Sequence, residues 1–297
     1  RSRAGFAVNQ AEAALAASHR TPALRHARPV LLVAHRGSGH ADNDPDGPPE
    51  NTLAAIRYGF EQGADAVEVD VWRTADGELV LHHDLTSDRT TGLAGFEIPN
   101  VTYAELKAAG AGLWKHARWE AEYVPKLAEA AALVPAGRSL VVEIEQGPDV
   151  VPACLEAVAR AEVIWISKNL DTAGALKASC EQPVFWIVDT TARYEIGGWS
   201  QGHRRGPHST RVGYDQHADV VWLVEQALER GLDGLDTMFV YPPDLPAALR
   251  DAGLRWMVWT VNDPRAMDQV LADGAWAITT DNTREVRSWL AEAGGSR

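Results

Sequence analysis

A chain of 297 residues with a formal net charge of −13 is long enough for one large domain or two small ones, and its acidity argues against nucleic acid as a partner. Apolar residues make up 45% and charged residues 23%, a composition typical of a globular protein with a substantial core. No apolar run approaches the roughly 20 residues that a membrane span requires, so we expect no transmembrane segment.

The N-terminal part and the cysteines give limited information. Residues 1–29 contain an Ala-rich stretch, Asn9–Ser18, and we expect a helix packed on the main domain or a tail. Because the chain begins at Arg1 rather than at a methionine, a processed N-terminus would favour a secreted or periplasmic location over a cytoplasmic one.

Cys154 and Cys180 are expected to be buried thiols, with a single disulfide as the alternative.

From residue 30 to residue 297, short apolar runs alternate with segments of helical character. The runs that predict strands are Val30–Ala34, Ala66–Val71, Leu140–Ile144, Val163–Ile166, Val184–Val188, Gly234–Asp236, Trp256–Thr260 and Ala275–Thr279. Eight strands alternating with helices are typical of a (β/α)8 TIM barrel, whose usual length is about 250 residues. A doubly wound open sheet is the alternative.

Polar residues at the ends of the predicted strands favour the barrel. An open sheet concentrates its ligands at one crossover point, whereas a barrel collects them around a ring. Here they follow many different strands: His35, Glu68, Asp70, Glu143, Asp189, Asp236, Thr260, Asn262, Thr280 and Asp281. Two long segments interrupt the alternation. One is an insertion over about residues 85–124 after the second strand, and the other is a polar loop, Thr190–His217.

Glu68 and Asp70 stand two residues apart in one predicted strand. Residues at this spacing project to the same face, and two buried carboxylates at one point are costly without a cation. The spacing predicts a cation site at this strand end, with a salt-bridged strand pair as the alternative.

An ordered set of short motifs runs through this scaffold and resembles the glycerophosphodiester phosphodiesterase family. The motifs are His35-Arg36-Gly37, Pro49-Glu50-Asn51-Thr52, Glu68-x-Asp70, Asp76-Gly77, His83-Asp84, Arg89-Thr90-Thr91, Val124-Pro125-x-Leu127, Glu143, Trp259-Thr260-Val261-Asn262 and Thr280-Asp281. The resemblance covers nearly the whole chain. It implies a (β/α)8 barrel with a small insertion after the second strand, and a small-molecule glycerophosphodiester as substrate.

The resemblance also implies a set of site residues. One divalent cation, Ca²⁺ or Mg²⁺, would be held by Glu68, Asp70 and Glu143. His35 and His83 would act as general acid and base, which suits imidazole because its ordinary pKa lies near neutrality. Substrate contacts are expected from Arg36, Glu50, Glu145 and Trp259.

Two features depart from the family pattern. The third metal ligand normally belongs to a Glu-x-Lys pair, but here Glu145 stands at the lysine position. Glu145 would point to the same face as Glu143 and would bind the metal, recruit a second one or pair with an arginine such as Arg36. The loop with Asp42, Asp44 and Asp46 is expected to be a solvated acidic loop, with a second calcium site as the minority interpretation.

The main hypothesis is metal-dependent hydrolysis of a glycerophosphodiester to glycerol 3-phosphate and an alcohol. A phospholipase D-like lyase that releases a cyclic phosphate would use the same barrel and histidines. A non-catalytic binding protein on the same scaffold is the third alternative, and Glu145 is its only support.

Overall fold

The computed structural model describes residues 30–38, 46–189 and 216–295 of the chain. The predicted N-terminal helix, Asp42 and Asp44 of the acidic loop, and residues 190–215 of the long polar loop lie outside these residues. The fold below therefore concerns the barrel and its insertion.

Eight parallel strands close into a barrel, with one short antiparallel strand added. The strands are β1 (Leu31–Ala34), β2 (Ala66–Arg73), β3 (Leu79–Leu81), β4 (Ser139–Ile144), β5 (Val163–Ser167), β6 (Val184–Val188), β7 (Gly234–Met238), β8 (Arg255–Trp259) and β9 (Ala277–Thr280). Strand β1 pairs in parallel with both β2 and β9, which closes the sheet, while β3 pairs antiparallel with β2. The predicted TIM barrel is confirmed, and the open sheet is wrong.

Helices alternate with the barrel strands and cover their outer faces, except the second of them, which belongs to the insertion. They are α1 (Leu53–Glu61), α2 (Tyr103–Ala109), α3 (Leu127–Ala131), α4 (Val151–Ala157), α5 (Leu170–Ser179), α6 (Gln216–Glu229), α7 (Leu245–Asp251), α8 (Pro264–Ala272) and α9 (Thr283–Gly295). Among the described helices, none is long and apolar enough to cross a membrane.

Cys154 is buried, Cys180 is half-buried and both are free thiols, so the disulfide alternative is wrong.

The strands are apolar on both faces because each face meets a different core. Leu32 and Ala34 belong to the large core between the strands and the helices, whereas Val33 belongs to a smaller core inside the barrel. Ala66 and Val141 lie in this inner core as well. Because side chains alternate along a strand, the inner face of each strand continues from these apolar residues to the polar residues at its C-terminal end.

The insertion after β3 forms a small core of its own beside the barrel. Val80 packs there with Ile98, Val101, Leu106 and Val124, all of them buried. Helix α2 begins at a capping box, in which Thr102 and Glu105 satisfy each other's backbone N–H groups. The insertion thus has a fixed position at the C-terminal rim of the barrel, where it carries His83 and Arg89.

Candidate active site

Three buried carboxylates converge at the C-terminal end of the barrel. Glu68 and Asp70 follow one another on the inner face of β2, and Glu143 lies on the adjacent strand β4, in register with Asp70. The three side chains are almost completely buried, and one oxygen from each lies within 4.8 Å of the others. The structure thus brings together the three predicted metal ligands.

One carboxylate oxygen of Glu68 is buried and has no hydrogen-bond partner among the described residues. Its Oε2 accepts a hydrogen bond from the backbone N–H of Arg36 at 2.8 Å, but its buried Oε1 has no hydrogen-bond partner among the described residues. Burial and the charges of Asp70 and Glu143 raise the pKa of Glu68 well above its ordinary value. A set of carboxylate oxygens with one left unpaired fits a hard divalent cation.

Asp70 is held in its charged form. Although burial alone would raise its pKa, the charges of Arg36 and His83 and a hydrogen bond from Asn51 lower the pKa of Asp70 below its ordinary value. The Asn51 Nδ2 atom donates to Asp70 Oδ2 at 2.7 Å, and Arg36 Nε lies 3.4 Å from the same oxygen. These contacts favour the charged form of Asp70.

A tight turn after β1 places Arg36 over the carboxylates. Arg36 and Gly37 have φ angles of 49° and 80°, both in the left-handed region. A Cβ atom at Gly37 would lie 2.5 Å from the backbone carbonyl carbon of Ala55 in helix α1, so only glycine fits. The His-Arg-Gly motif thus reflects how closely this turn approaches α1.

Glu50 lies behind Arg36, away from the cavity. Its side chain is 2% exposed, and Arg36 Nη1 donates to its Oε1 at 3.0 Å. Arg89 from the insertion donates to both carboxylate oxygens, at 2.8 and 2.7 Å. Burial would raise the pKa of Glu50, but these two arginines lower it. Glu50 is thereby placed to orient Arg36.

His35 follows β1 and is anchored by a carboxylate. Its Nδ1 atom lies 2.7 Å from Asp281 Oδ1, and Asn262 donates to the other Asp281 oxygen at 2.7 Å. Thr280 in turn donates to the Asn262 amide oxygen at 3.0 Å. The two C-terminal motifs therefore serve to fix the ring of His35.

His83 follows β3 and lines the same cavity as His35. Its Nδ1 atom lies 2.8 Å from Asp84 Oδ1, and its Nε2 atom lies 4.0 Å from Glu145 Oε1. Burial would lower the pKa of His83, but the charges of Asp70 and Glu145 and the bond to Asp84 raise it above its ordinary value. Both predicted catalytic histidines thus have a carboxylate on Nδ1.

The neighbouring His82 has a different environment. It is 2% exposed, and its ring bonds to the Asp84 backbone carbonyl at 2.7 Å and to Thr90 Oγ1 at 3.0 Å. Burial lowers its pKa below the ordinary value. His82 is a structural residue that ties the insertion to β3.

Glu145 is paired with a lysine. Lys168 Nζ donates to Glu143 Oε1 and also to Glu145 Oε1, the latter at 3.3 Å. Burial and the nearby charge of Glu143 raise the pKa of Glu145 to about 8, although Lys168 opposes this. The partner of Glu145 is thus Lys168, from the next strand end, and not the arginine that the sequence suggested.

The candidate site encloses a cavity of about 100 Å³ at the barrel mouth. Its lining is His35, Arg36, Glu68, His83, Glu143, Ile166, Lys168, Ile187, Asp236, Trp259 and Thr279. Asp236 Oδ1 and Trp259 Nε1 are buried and have no hydrogen-bond partner among the described residues. Burial and the charge of Glu143 raise the pKa of Asp236 well above its ordinary value.

Sequence reasoning did not identify Lys168 and gave Asp236 no role. The signal for Lys168 was its spacing, because Ile164 and Ile166 belong to the inner core and Lys168 continues the same alternation. Asp236 also follows this alternation at a strand end, but only the structure shows that its Oδ1 atom has no hydrogen-bond partner within the described part of the chain.

The fold and the site define a (β/α)8 barrel with a carboxylate cluster suited to a cation, two carboxylate-anchored imidazoles and an arginine around one cavity. The model of the Glycerophosphoryl diester phosphodiesterase family matches residues 35–285. The chain belongs to this family, as the motifs indicated.

Individual relatives agree with the family assignment. A glycerophosphodiester phosphodiesterase from Caldanaerobacter subterraneus is 28% identical over 267 residues, which cover 89% of this chain and 99% of the relative. A phosphodiesterase from Oleispira antarctica, solved in complex with the product sn-glycerol-3-phosphate, superposes with a TM-score of 0.71 at 23% identity, covering 88% of this chain and 96% of that chain. A putative glycerophosphoryl diester phosphodiesterase from Agrobacterium tumefaciens gives 0.71 at 22% identity, covering 90% and 100%. These two structures share the barrel fold.

Proposed function

We propose that this protein hydrolyses glycerophosphodiesters to glycerol 3-phosphate and an alcohol in a reaction that requires a divalent cation. The observation that carries the proposal is the cluster of Glu68, Asp70 and Glu143, with its unpaired Glu68 oxygen, beside two anchored histidines in one cavity. The Oleispira relative was solved with sn-glycerol-3-phosphate, the product expected here.

Glu68, Asp70 and Glu143 would hold the cation, Ca²⁺ or Mg²⁺, through carboxylate oxygens alone. When bound, such an ion offsets the charge on the non-bridging phosphate oxygens. Arg36 lines the same cavity and adds a second positive charge for the phosphate. Glu50 and Arg89 keep the Arg36 side chain in place, which assigns Glu50 an indirect role in substrate binding.

His35 and His83 would move the two protons of the reaction. The nucleophile, which is a water molecule or the neighbouring hydroxyl of the substrate, gives its proton to one imidazole as its oxygen bonds to phosphorus. The bond from phosphorus to the alcohol oxygen breaks, and the other imidazolium gives its proton to that oxygen. If the substrate hydroxyl attacks first, water then opens the cyclic phosphate by the same exchange.

Two contacts complete the site. Trp259 lines the cavity at the end of β8 and would contact the organic part of the substrate. Glu145 would act near the phosphate through its partner Lys168 rather than by direct contact with an anion.

Turnover of glycerophosphocholine, glycerophosphoethanolamine and glycerophosphoglycerol tests the proposal. The protein is first treated with a chelator, and Ca²⁺ or Mg²⁺ is then added back separately. We expect release of glycerol 3-phosphate only after one of the metals is restored. A stable cyclic phosphate detected by phosphorus NMR would support the lyase alternative, and absence of turnover with every metal would support the binding-protein alternative.

A further inference from the structure

At the barrel mouth, an ammonium group directly follows β5, one carboxylate lies on β4 and a second directly follows β4. Glu143 and Glu145 share the inner face of β4, and Lys168 Nζ contacts both of them. Strands β4 and β5 are neighbours, with Glu143 in register with Ile166, so Lys168 extends the inner face of β5 by one more step. Lys168, at the end of β5, thus supplies the ammonium group that the family pattern would place at position 145, at the end of β4.

The backbone around Lys168 is fixed on both sides. Ser167 Oγ donates to the Ile144 carbonyl at 2.8 Å, and Asn169 caps helix α5 by accepting from Asp171 N at 2.9 Å. Trp186 Nε1 donates to the Lys168 carbonyl at 3.3 Å. These contacts direct the Lys168 side chain toward the cavity that it lines with Arg36, His35 and His83.

We propose that Lys168 contacts the substrate phosphate and that Glu145 is the residue that positions it, an inference that rests on the proposed function. If Glu143 serves as a cation ligand, Glu145 remains as the partner of Lys168. The side chain of Lys168 is 42% exposed, whereas that of Glu145 is 12% exposed, so the ammonium group is the member of the pair that a ligand can reach. A phosphate between Lys168 and Arg36 would receive charge-assisted hydrogen bonds from both.

Calorimetric binding of sn-glycerol 3-phosphate to the metal-saturated protein tests this inference without reference to turnover. We expect Lys168→Met to weaken binding by about 10- to 100-fold, the effect of losing a hydrogen bond to a charged group. Lys177→Met is the matched control, because Lys177 is also a partly buried lysine, paired with Asp233 at 2.8 Å outside the cavity. It should bind the ligand like the native protein.

A charge exchange makes the test specific to position. Lys168→Glu should bind sn-glycerol 3-phosphate more weakly than Lys168→Met, because it adds a third carboxylate beside Glu143 and Glu145. Adding Glu145→Lys to that variant returns an ammonium group to the same face of β4, and we expect this to restore affinity to within about 3-fold of the native value.

Metal titrations in the same variants exclude an indirect effect. Lys168→Met should bind Ca²⁺ or Mg²⁺ at least as tightly as the native protein, since it loses a cation that competes for Glu143. Unchanged phosphate binding in Lys168→Met would overturn the inference, as would a loss explained by weaker metal binding. A second cation at Asp70, His83 and Glu145, detected as two metal ions per chain, would also overturn it. Failure of diester turnover alone would affect only the proposed function.

A different observation points to a hydroxyl-binding subsite in the same cavity. Asp236 is 2% exposed, and both its Oδ1 atom and Trp259 Nε1 are buried without a hydrogen-bond partner among the described residues. They belong to the adjacent strands β7 and β8, and both line the cavity. Buried polar groups in native proteins are rarely left unpaired, so two in one cavity indicate a polar ligand.

We infer that Asp236 and Trp259 bind the hydroxyl groups of the glycerol moiety, again on the basis of the proposed function. A hydroxyl both donates and accepts, which matches an indole N–H that only donates and a carboxyl oxygen that accepts. The two groups would thereby distinguish a polyol phosphate from a phosphate ester without hydroxyls.

The test compares sn-glycerol 3-phosphate with methyl phosphate as ligands of the metal-saturated protein. Asp236→Ala and Trp259→Phe should each reduce the preference for the glycerol ligand by about 10-fold, with little change in methyl phosphate binding. An unchanged ratio in both variants, or an equal loss for both ligands, would overturn the subsite. Because no turnover is measured, the outcome is independent of whether the protein hydrolyses diesters.

Discussion

His35 and Asp281 lie 246 positions apart in the chain, yet the Nδ1 atom of His35 is 2.7 Å from a carboxylate oxygen of Asp281. A carboxylate accepts a hydrogen bond and cannot donate one, so this contact requires the proton on Nδ1. The neutral ring then has its basic nitrogen at Nε2. In the proposed mechanism, Asp281 therefore leaves Nε2 as the nitrogen of His35 that would exchange a proton with the substrate.

Removing this anchor should slow the reaction without abolishing binding. We expect Asp281→Ala to lower kcat by about 10- to 100-fold, because the ring of His35 loses its tautomer and orientation while the imidazole remains. Steady-state kinetics with glycerophosphocholine measure the effect. Asp263→Ala is a suitable control, since Asp263 caps α8 and should affect stability rather than kcat. An unchanged kcat in Asp281→Ala would contradict the positioning role.

Loss of either histidine should cost more. His35→Ala and His83→Ala are each expected to lower kcat by about 10²- to 10⁴-fold, the usual contribution of a general acid or base. His116→Ala provides the control, because His116 is exposed and bonds only to its own short turn among the contacts described. If both cavity variants retained native rates, neither imidazole could take part in proton transfer.

His82 should make the folding stability depend on pH. Its pKa in the folded protein is lowered by burial below the ordinary value of 6.5, so the unfolded chain binds a proton more readily. The stability contributed by neutral His82 is complete above pH 6.5 and decreases as the pH falls toward the lower, folded-state value. Thermal unfolding at pH 7.5 and at pH about 5.5 should show a smaller decrease for His82→Gln than for the native protein. Equal decreases in Tm for His82→Gln and the native protein would contradict the lowered pKa of His82.

Metal removal should destabilise the fold. A ligand that binds only the folded state adds about 2.7 kcal/mol at a concentration 100 times its Kd, so Ca²⁺ or Mg²⁺ should raise Tm after chelation. Glu68→Gln should lose this response and have a higher Tm than the native protein when both are metal-free, because it replaces a carboxyl group whose ionisation is opposed by burial and by Asp70 and Glu143. Asp149→Asn, at an exposed carboxylate, should respond like the native protein. Equal Tm values with and without metal would contradict the cation site.

The barrel could be predicted because each strand is buried on both faces, which produces short continuous apolar runs. The inward positions of Glu68, Asp70 and Glu143 also followed from alternation along the strand. Alternation alone could not predict that Glu143 lies opposite Asp70. This arrangement follows from the register between β4 and β2, which are separated in sequence by the inserted segment.

Contacts between neighbouring strand ends were harder to predict. The pairing of Lys168 with Glu145 depends on β5 lying beside β4. It also depends on both residues directly following the ends of their strands. The position of Glu50 depends on Arg89, which reaches it from the insertion, 39 residues further along the chain. Motif spacing identifies such residues as important without showing which of them face the ligand.

Closure of the sheet between β1 and β9 has a consequence for the order of synthesis. His35 leaves the ribosome among the first residues of the barrel, whereas its partner Asp281 emerges only after the closing strand β9. A nascent chain stopped before Ala277 contains His35 and His83 but has neither the closing strand nor Asp281, which anchors the ring of His35. Under the proposed mechanism, the site is therefore complete only after the closing strand and the aspartate that follows it have been made.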